Sequence, residues 1–255
     1  MYWGNASAGS ASDGAAAFDT ADRFQGVWHL GQTGGSTAYD ATGNHYDGTP
    51  FNMTAASAVP GIIGMAQQFN GTSSYIRMQG TANSRLNFPE NGVYSLSAWV
   101  NADSVDGLPH VIAGKGHEDY YLKLMNNPTT RDQWEFVEYL GRIGWEITDE
   151  TIRATAKTWK YLMGVRNGVK QYLYCDGVLI DSVIRTSVCD SVRVETDDFS
   201  IGRYLRPVTF VDFEGMCTFK GKIDEVRISG VAHNGDFVRL CYMNQKANDA
   251  LVSFR

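Results

Sequence analysis

Glycoside hydrolysis needs two carboxyl groups about 5–9.5 Å apart on one surface. The acidic run Gln133-Trp134-Glu135-Phe136-Val137-Glu138-Tyr139 is the first place to look for them. It reads as a strand, and successive side chains of a strand point to opposite faces. Glu135 and Glu138 are three apart, so they fall on opposite faces and cannot form the pair. Glu146 and Asp149 fail by the same parity, and Glu118-Asp119 are adjacent in a loop. No Gly-x-Ser-x-Gly elbow and no His-Glu-x-x-His motif is present. The histidines at 29, 45, 110, 117 and 233 are scattered, and His29, beside Trp28, reads as a satisfied core residue. The chain is therefore expected not to be an enzyme.

Binding chemistry is more legible. Sugar sites on β-proteins combine rings that stack on pyranoses with polar groups that bond the hydroxyls. Residues 115–146 are rich in both. Leu122 and Leu124 share a face with Tyr120, so that face reads as core and Tyr121 and Lys123 point outward. Trp134 and Phe136 take the core face of the next strand, which turns Glu135, Val137 and Tyr139 outward. In Ser95–Asn101 the core positions are Leu96, Ala98 and Val100, leaving Trp99 on a polar face. Two readings of Trp99 stand: a stacking platform, or a ring packed under a loop. The candidate ligand face is Trp99, Tyr121, Tyr139 and Trp145 for stacking, with Lys115, Lys123, Glu135, Arg142 and Arg203 as polar partners.

A second cluster concerns a cation. Asp40, Thr42, Gly43, Asn44 and Asp47 share one Gly-containing loop. Far along the chain, Asp224 alternates with Val226 and Ile228 on a face that reads as apolar. A buried carboxylate needs a cation, a metal or several N–H donors.

These residues must be held by a scaffold, and the scaffold reads as strands. Segments 94–101, 109–114, 120–125, 133–140, 143–148, 159–166, 170–175, 178–184 and 199–203 have strand character. Asn167-Gly168 and Asp176-Gly177 are two-residue turn signals. Residues 67–76 read as a strand, an Asn70-Gly71 turn and a second strand. Helical spacing appears once, over 236–245, with Asn234 as N-cap. Many strands with almost no helix give an antiparallel sandwich.

Composition narrows the class. The chain has 255 residues, 27 Gly, 13 Tyr, 6 Trp and a net charge of −6. An acidic balance argues against nucleic acid. No apolar run reaches the ~18 residues of a membrane span, so no membrane insertion is expected. No linker divides the chain, so residues 24–255 read as one domain and 1–23 as a junction or the tail of a preceding module. Met1 is followed by Tyr2-Trp3-Gly4-Asn5, so no signal peptide is read, and an exported protein would contain this chain as a fragment. Cys175, Cys189, Cys217 and Cys241 allow three pairings. The nearest-neighbour one, Cys175–Cys189 with Cys217–Cys241, stands beside a set of buried free thiols.

Four segments together carry a resemblance. They are Gly26-Val27-Trp28-His29-Leu30 with Asp40–Asn44, Tyr94-Ser95-Leu96-Ser97-Ala98-Trp99-Val100, Trp159-Lys160-Tyr161 through Leu173-Tyr174-Cys175-Asp176-Gly177-Val178, and Gly221-Lys222-Ile223-Asp224-Glu225-Val226-Arg227-Ile228. In this order they resemble laminin-G-like, concanavalin A-like jelly-roll domains of bacterial secreted proteins. The resemblance covers roughly residues 24–232. It implies an all-β jelly-roll sandwich with a short C-terminal helix, and it brings Asp40 near Asp224. Such domains often hold a structural Ca²⁺, which Asp40, Gly43, Asn44 and Asp224 would ligate. The alternative is an Asx-turn network on the loop's own backbone. Catalytic relatives place carboxylates on one strand face as Glu-x-Asp-x-x-Glu, and lyases use Arg-x-Glu-x-Arg; neither pattern occurs. The expected function is a non-catalytic module binding polysaccharide or another glycan, secreted or at the cell surface, monomeric and attached to other domains of a larger chain. A protein-binding or cell-adhesion module is the first alternative, and a glycoside hydrolase or lyase with an unrecognised active site is the second.

Overall fold

The computed structural model describes residues 14–18, 23–89, 92–105, 109–116, 119–125, 132–139, 145–184, 196–205 and 217–246. A short helical turn, α1 (Gly14–Ala17), is followed by β1 (Phe24–Trp28), β2 (Thr49–Phe51), β3 (Ala58–Pro60), β4 (Met65–Asn70), β5 (Tyr75–Met78), β6 (Val93–Ala102) and β7 (His110–Lys115). Then come β8 (Tyr120–Met125), β9 (Gln133–Tyr139), β10 (Trp145–Arg153), β11 (Lys160–Asn167), β12 (Lys170–Cys175), β13 (Val178–Ile184), β14 (Phe199–Ile201), β15 (Lys220–Ser229) and α2 (Gly235–Gln245). Among the described residues the strands form two antiparallel sheets. The first runs β13-β12-β11-β6-β15-β4-β3, with β1 also paired to β15; the second runs β10-β9-β8-β7-β14-β5-β2.

Alternation builds the sandwich. Leu96, Ala98 and Val100 of β6 and Leu162 of β11 face Leu122, Leu124, Trp134 and Phe136 of the second sheet across one buried core. Trp28 closes it, stacked on Phe199 at 5.1 Å. Apolar area removed from water at about 25 cal/mol per Å² is the main stabilising term in such a core. The turn signals hold: Asp176 and Gly177 both take positive φ, 51° and 80°, and join β12 to β13 with Cys175 opposite Val178. Asn234 caps α2, accepting from the Phe237 N–H at 2.9 Å.

Other expectations change. β4 and β5 do not form a hairpin, because they belong to different sheets. The Asn70 side-chain oxygen accepts from the N–H groups of Thr72, Ser73 and Ser74 and turns the chain from one sheet into the other. His29 is not in the core. Trp28 takes that side and His29 points out, its Nδ1 2.7 Å from the Glu225 carboxylate. Asp224 does not share a face with Val226 and Ile228. The pairing of β15 with β6 skips a residue between Asp224–Trp99 and Arg227–Ser97, and Glu225 sits at φ 51°. This bulge puts Ile223, Val226 and Ile228 in the core and leaves Asp224 on the far side of the sheet beside Trp99. Of the proposed disulfides, Cys217–Cys241 is not formed, since both are free thiols; Cys189 lies outside the described residues.

Candidate functional site

The outer face of the second sheet is built from the residues that alternate away from the core. On β5, Ile76 and Met78 are buried, so Tyr75 and Arg77 face out. β2 pairs Phe51 with Tyr75 and Thr49 with Arg77. The two rings stack at 4.6 Å with planes 5° apart, and both are half-buried. A guanidinium flanks each ring: Arg77 lies 5.0 Å from the Phe51 centroid and Arg203 lies 5.2 Å from the Tyr75 centroid. Arg203 arrives there because β14 ends at Ile201 and the chain turns at Gly202. That residue has φ 86°, and a Cβ on it would run into the Phe69 ring. The Ser200 hydroxyl then bonds the Arg203 carbonyl at 2.6 Å and fixes the turn.

The same face continues onto β7, β8 and β9. Gly114 stands opposite Tyr121, and a Cβ there would strike Tyr121, so the glycine gives the tyrosine its place. Tyr121 meets Tyr204 edge-on at 5.6 Å and packs with Val111 and Val137 beside Cys217. Burial pushes the Tyr121 hydroxyl pKa well above its usual value. Lys123 and Glu135, cross-strand partners, form an ion pair at 3.2 Å.

The expected ligand face is thus realised in part. Tyr121, Lys123, Glu135 and Arg203 lie together on it. Tyr121 and Glu135 are covered, however, and Lys123 is mostly so. Lys115 is on the other side: it pairs with Tyr120 and Phe199, which are core residues, and its ammonium bonds Asp119 at 2.7 Å. Trp99 belongs to the other sheet and is 2% exposed. It does face away from the core, but α2 lies over it. Arg142 and the side chains of Tyr139 and Trp145 lie outside the described residues; the backbones of Tyr139 and Trp145 pair across β9 and β10. Phe51, Tyr75 and Arg77 were missed. The alternation Tyr75-Ile76-Arg77-Met78 was the available signal, but Phe51 sits in a three-residue strand too short to show a period.

The residues proposed for calcium do not fit the ion. Asp40 already receives four donors: Val27 N–H, Thr42 N–H, Thr42 hydroxyl and Tyr46 N–H, at 2.8–3.0 Å. The Asn44 amide donates to the Gln25 carbonyl, and Gly43 is exposed. Asp224 binds a different segment, its Oδ2 accepting from Ile62 and Ile63 N–H at 2.8 and 3.1 Å. Its Oδ1 is buried without a hydrogen-bond partner. Yet among the described residues no group of three His, Cys, Asp or Glu is placed to hold a metal. Asp40 is the hub of an Asx-turn network, and the loop is organised by its own backbone.

The two strand carboxylates are separated as parity requires. Glu135 faces out to Lys123. Glu138 faces in, with Arg166 at 3.3 Å and the Gln171 amide at 3.0 Å. Each is bound to a cation on its own side of the sheet.

A laminin-G family of the concanavalin A-like lectin/glucanases superfamily matches residues 70–239. Among curated proteins no sequence matches. In three dimensions the chain is similar to domain 4 of AbnA, a GH43 extracellular arabinanase from Geobacillus stearothermophilus, solved in complex with arabinotriose. The identity is 21% and the TM-score 0.62, over 85% of this chain and 97% of that one. It is also similar to the binding domain of Paraclostridial Mosquitocidal Protein 1, at 14% identity and a TM-score of 0.66 over 88% of this chain and 52% of that one. A third similar structure is of botulinum neurotoxin type C, whose cell entry depends on interaction with two ganglioside molecules. It is 12% identical with a TM-score of 0.64, again over 88% and 52%. The chain spans about half the length of these two toxin chains. At such identities the likeness speaks for the fold.

Proposed function

The chain belongs to the concanavalin A-like lectin/glucanase superfamily, and on that premise we propose that it is a non-catalytic carbohydrate-binding module. The ligand lies on the outer face of the second sheet, centred on Phe51 and Tyr75. The observation that carries this reading is the stacked, half-exposed ring pair with a guanidinium on each side. Rings held in place by a sheet give contact area at low entropic cost, and charged forks orient hydroxyls. The arabinanase domain of similar shape holds an oligosaccharide, and the similar toxin depends on gangliosides; both support a glycan as ligand. The separation of Glu135 from Glu138 supports binding without turnover. Tyr121, Lys123 and Glu135 hold the neighbouring strands in register, and Tyr139, Arg142 and Trp145 are candidates to extend the face. The module works in a secreted bacterial protein, attached to other domains. No helix among the described residues is long and apolar enough to cross a membrane.

A glycan array followed by titration tests the reading. Affinity is expected in the range of about micromolar to millimolar, because the face is solvated. Tyr75→Ala and Phe51→Ala should each weaken binding by roughly 10- to 100-fold. Equal affinity in both folded variants would move the site elsewhere, and binding to no glycan would favour a protein partner.

A further inference from the structure

We propose that the ligand is an extended chain of at least about three sugar units, laid along β2 from the Phe51–Tyr75 pair to Tyr39, and that Tyr39 is a second stacking platform for it. The inference rests on the carbohydrate-binding reading and adds the length and direction of the ligand to it. Each ring of the Phe51–Tyr75 stack has one face against the other and a guanidinium over it, so the pair presents its edges more than a flat face. A sugar that stacks needs an open ring on the same surface. Tyr39 is 70% exposed, the highest value for a large apolar side chain among the described residues.

Strand register puts Tyr39 on that surface. Beside β2 the second sheet gains one more rung, in which Ala38 and Gly48 exchange both backbone hydrogen bonds at 2.9 and 2.8 Å. Both look inward: Ala38 is a core residue, and a Cβ on Gly48 would meet Ile76 and Met78. Alternation therefore turns Tyr39, Asp47 and Thr49 outward, on the side of Phe51 and Tyr75. Asp47 stands level with Tyr39 and four residues along from Phe51. That spacing sets the two platforms roughly 13 Å apart, the reach of about three linked sugar units. Between them lie the exposed Thr49 hydroxyl and the exposed Asp47 carboxylate, both of which bond sugar hydroxyls. The backbone under Tyr39 is pinned on both sides. Ala38 is fixed in the rung, and the Asp40 N–H donates to the Asp47 carboxylate at 2.9 Å while its own carboxylate receives four donors. An exposed ring on a fixed backbone loses little entropy when a sugar settles on it.

A length series tests the extension. Oligosaccharides of one to six units, derived from arabinan, xylan and cellulose, are titrated against the wild type and three variants. In at least one series, affinity should rise about 10-fold or more between two units and four, then level off. Tyr39→Ala should cost roughly 10-fold for the tetramer and nothing for the dimer, whereas Tyr75→Ala should weaken both. Tyr39→Phe keeps the ring and should bind as the wild type does. Tyr39 is largely exposed, so its variants should unfold in urea at the wild-type midpoint, which separates lost binding from lost folding. Tetramer affinity unchanged in Tyr39→Ala, or affinity independent of length, would overturn the proposal. If Tyr75→Ala still weakened binding in that case, the glycan face would stand without its extension. Binding of no oligosaccharide in any series would remove both.

Discussion

The Trp99 indole N–H donates to the side-chain oxygen of Gln245 at 2.7 Å, tying the middle of β6 to the last turn of α2. Tyr161 and Tyr242 pack against the indole at 5.3 and 5.7 Å and against each other at 6.4 Å. The outer face of the first sheet is thus a second core of Trp99, Tyr161, Met163, Val165 and Tyr174, roofed by Val238, Phe237 and Tyr242. Trp99→Ala is expected to destabilise by about 3–5 kcal/mol. Gln245→Leu leaves a buried N–H without an acceptor and should destabilise by about 1–3 kcal/mol. Urea unfolding measures both. Neither variant should alter glycan affinity while folded, and a loss of affinity at unchanged stability would return Trp99 to the ligand site.

Glu138 and Arg166 join the two sheets through the core. Arg166 is fully buried, and Gln171 supplies a further donor. Removing one partner leaves a charge in an apolar interior. Glu138→Gln or Arg166→Met should therefore destabilise by about 3–5 kcal/mol. Replacing both with apolar residues should lose less than the two single changes added. Strictly additive losses in a double-mutant cycle would show that the pair is not coupled.

Asp224 makes stability depend on pH. Burial raises its pKa from the usual 3.8 to about 6, against the opposing pull of the Ile62 and Ile63 N–H groups. The folded protein then binds the proton more tightly than the unfolded chain. This contribution is fully present below pH ~4, falls as pH rises through about 6, and is level above that. The fall is on the order of 3 kcal/mol. Asp224→Asn should flatten stability between pH 4 and 6. Parallel wild-type and variant curves across that window would count against it.

Chelation should leave the protein unchanged. Asp40 spends its oxygens on four hydrogen bonds, so no free ligand set is there to lose. The melting temperature is expected to match in EDTA and in CaCl₂. A metal bound at 100 times its Kd would stabilise by about 2.7 kcal/mol, which a thermal scan detects readily. A clear drop in EDTA, with calcium found by elemental analysis, would reinstate the ion.

Alternation alone placed Tyr120, Leu122, Leu124, Trp134 and Phe136 in the core and turned Tyr121, Lys123 and Glu135 outward. It also kept Glu135 and Glu138 apart. Asp176-Gly177 fixed a hairpin and Asn234 started the helix. These are local matters, decided within a few residues by backbone geometry and side-chain period. Tertiary structure decided everything that needed a distant partner. Parity says that a side chain leaves the core but not what waits on the other side. α2 therefore roofed Trp99, and Tyr204 packed against Tyr121 beside Val111 and Val137. The bulge at Glu225 reversed the face of Asp224, because one unpaired residue shifts every later side chain. Phe51, Tyr75 and Arg203 come from three separate stretches of sequence. They meet only because β2, β5 and β14 are neighbours in one sheet, a pairing set by long-range burial that no local period encodes.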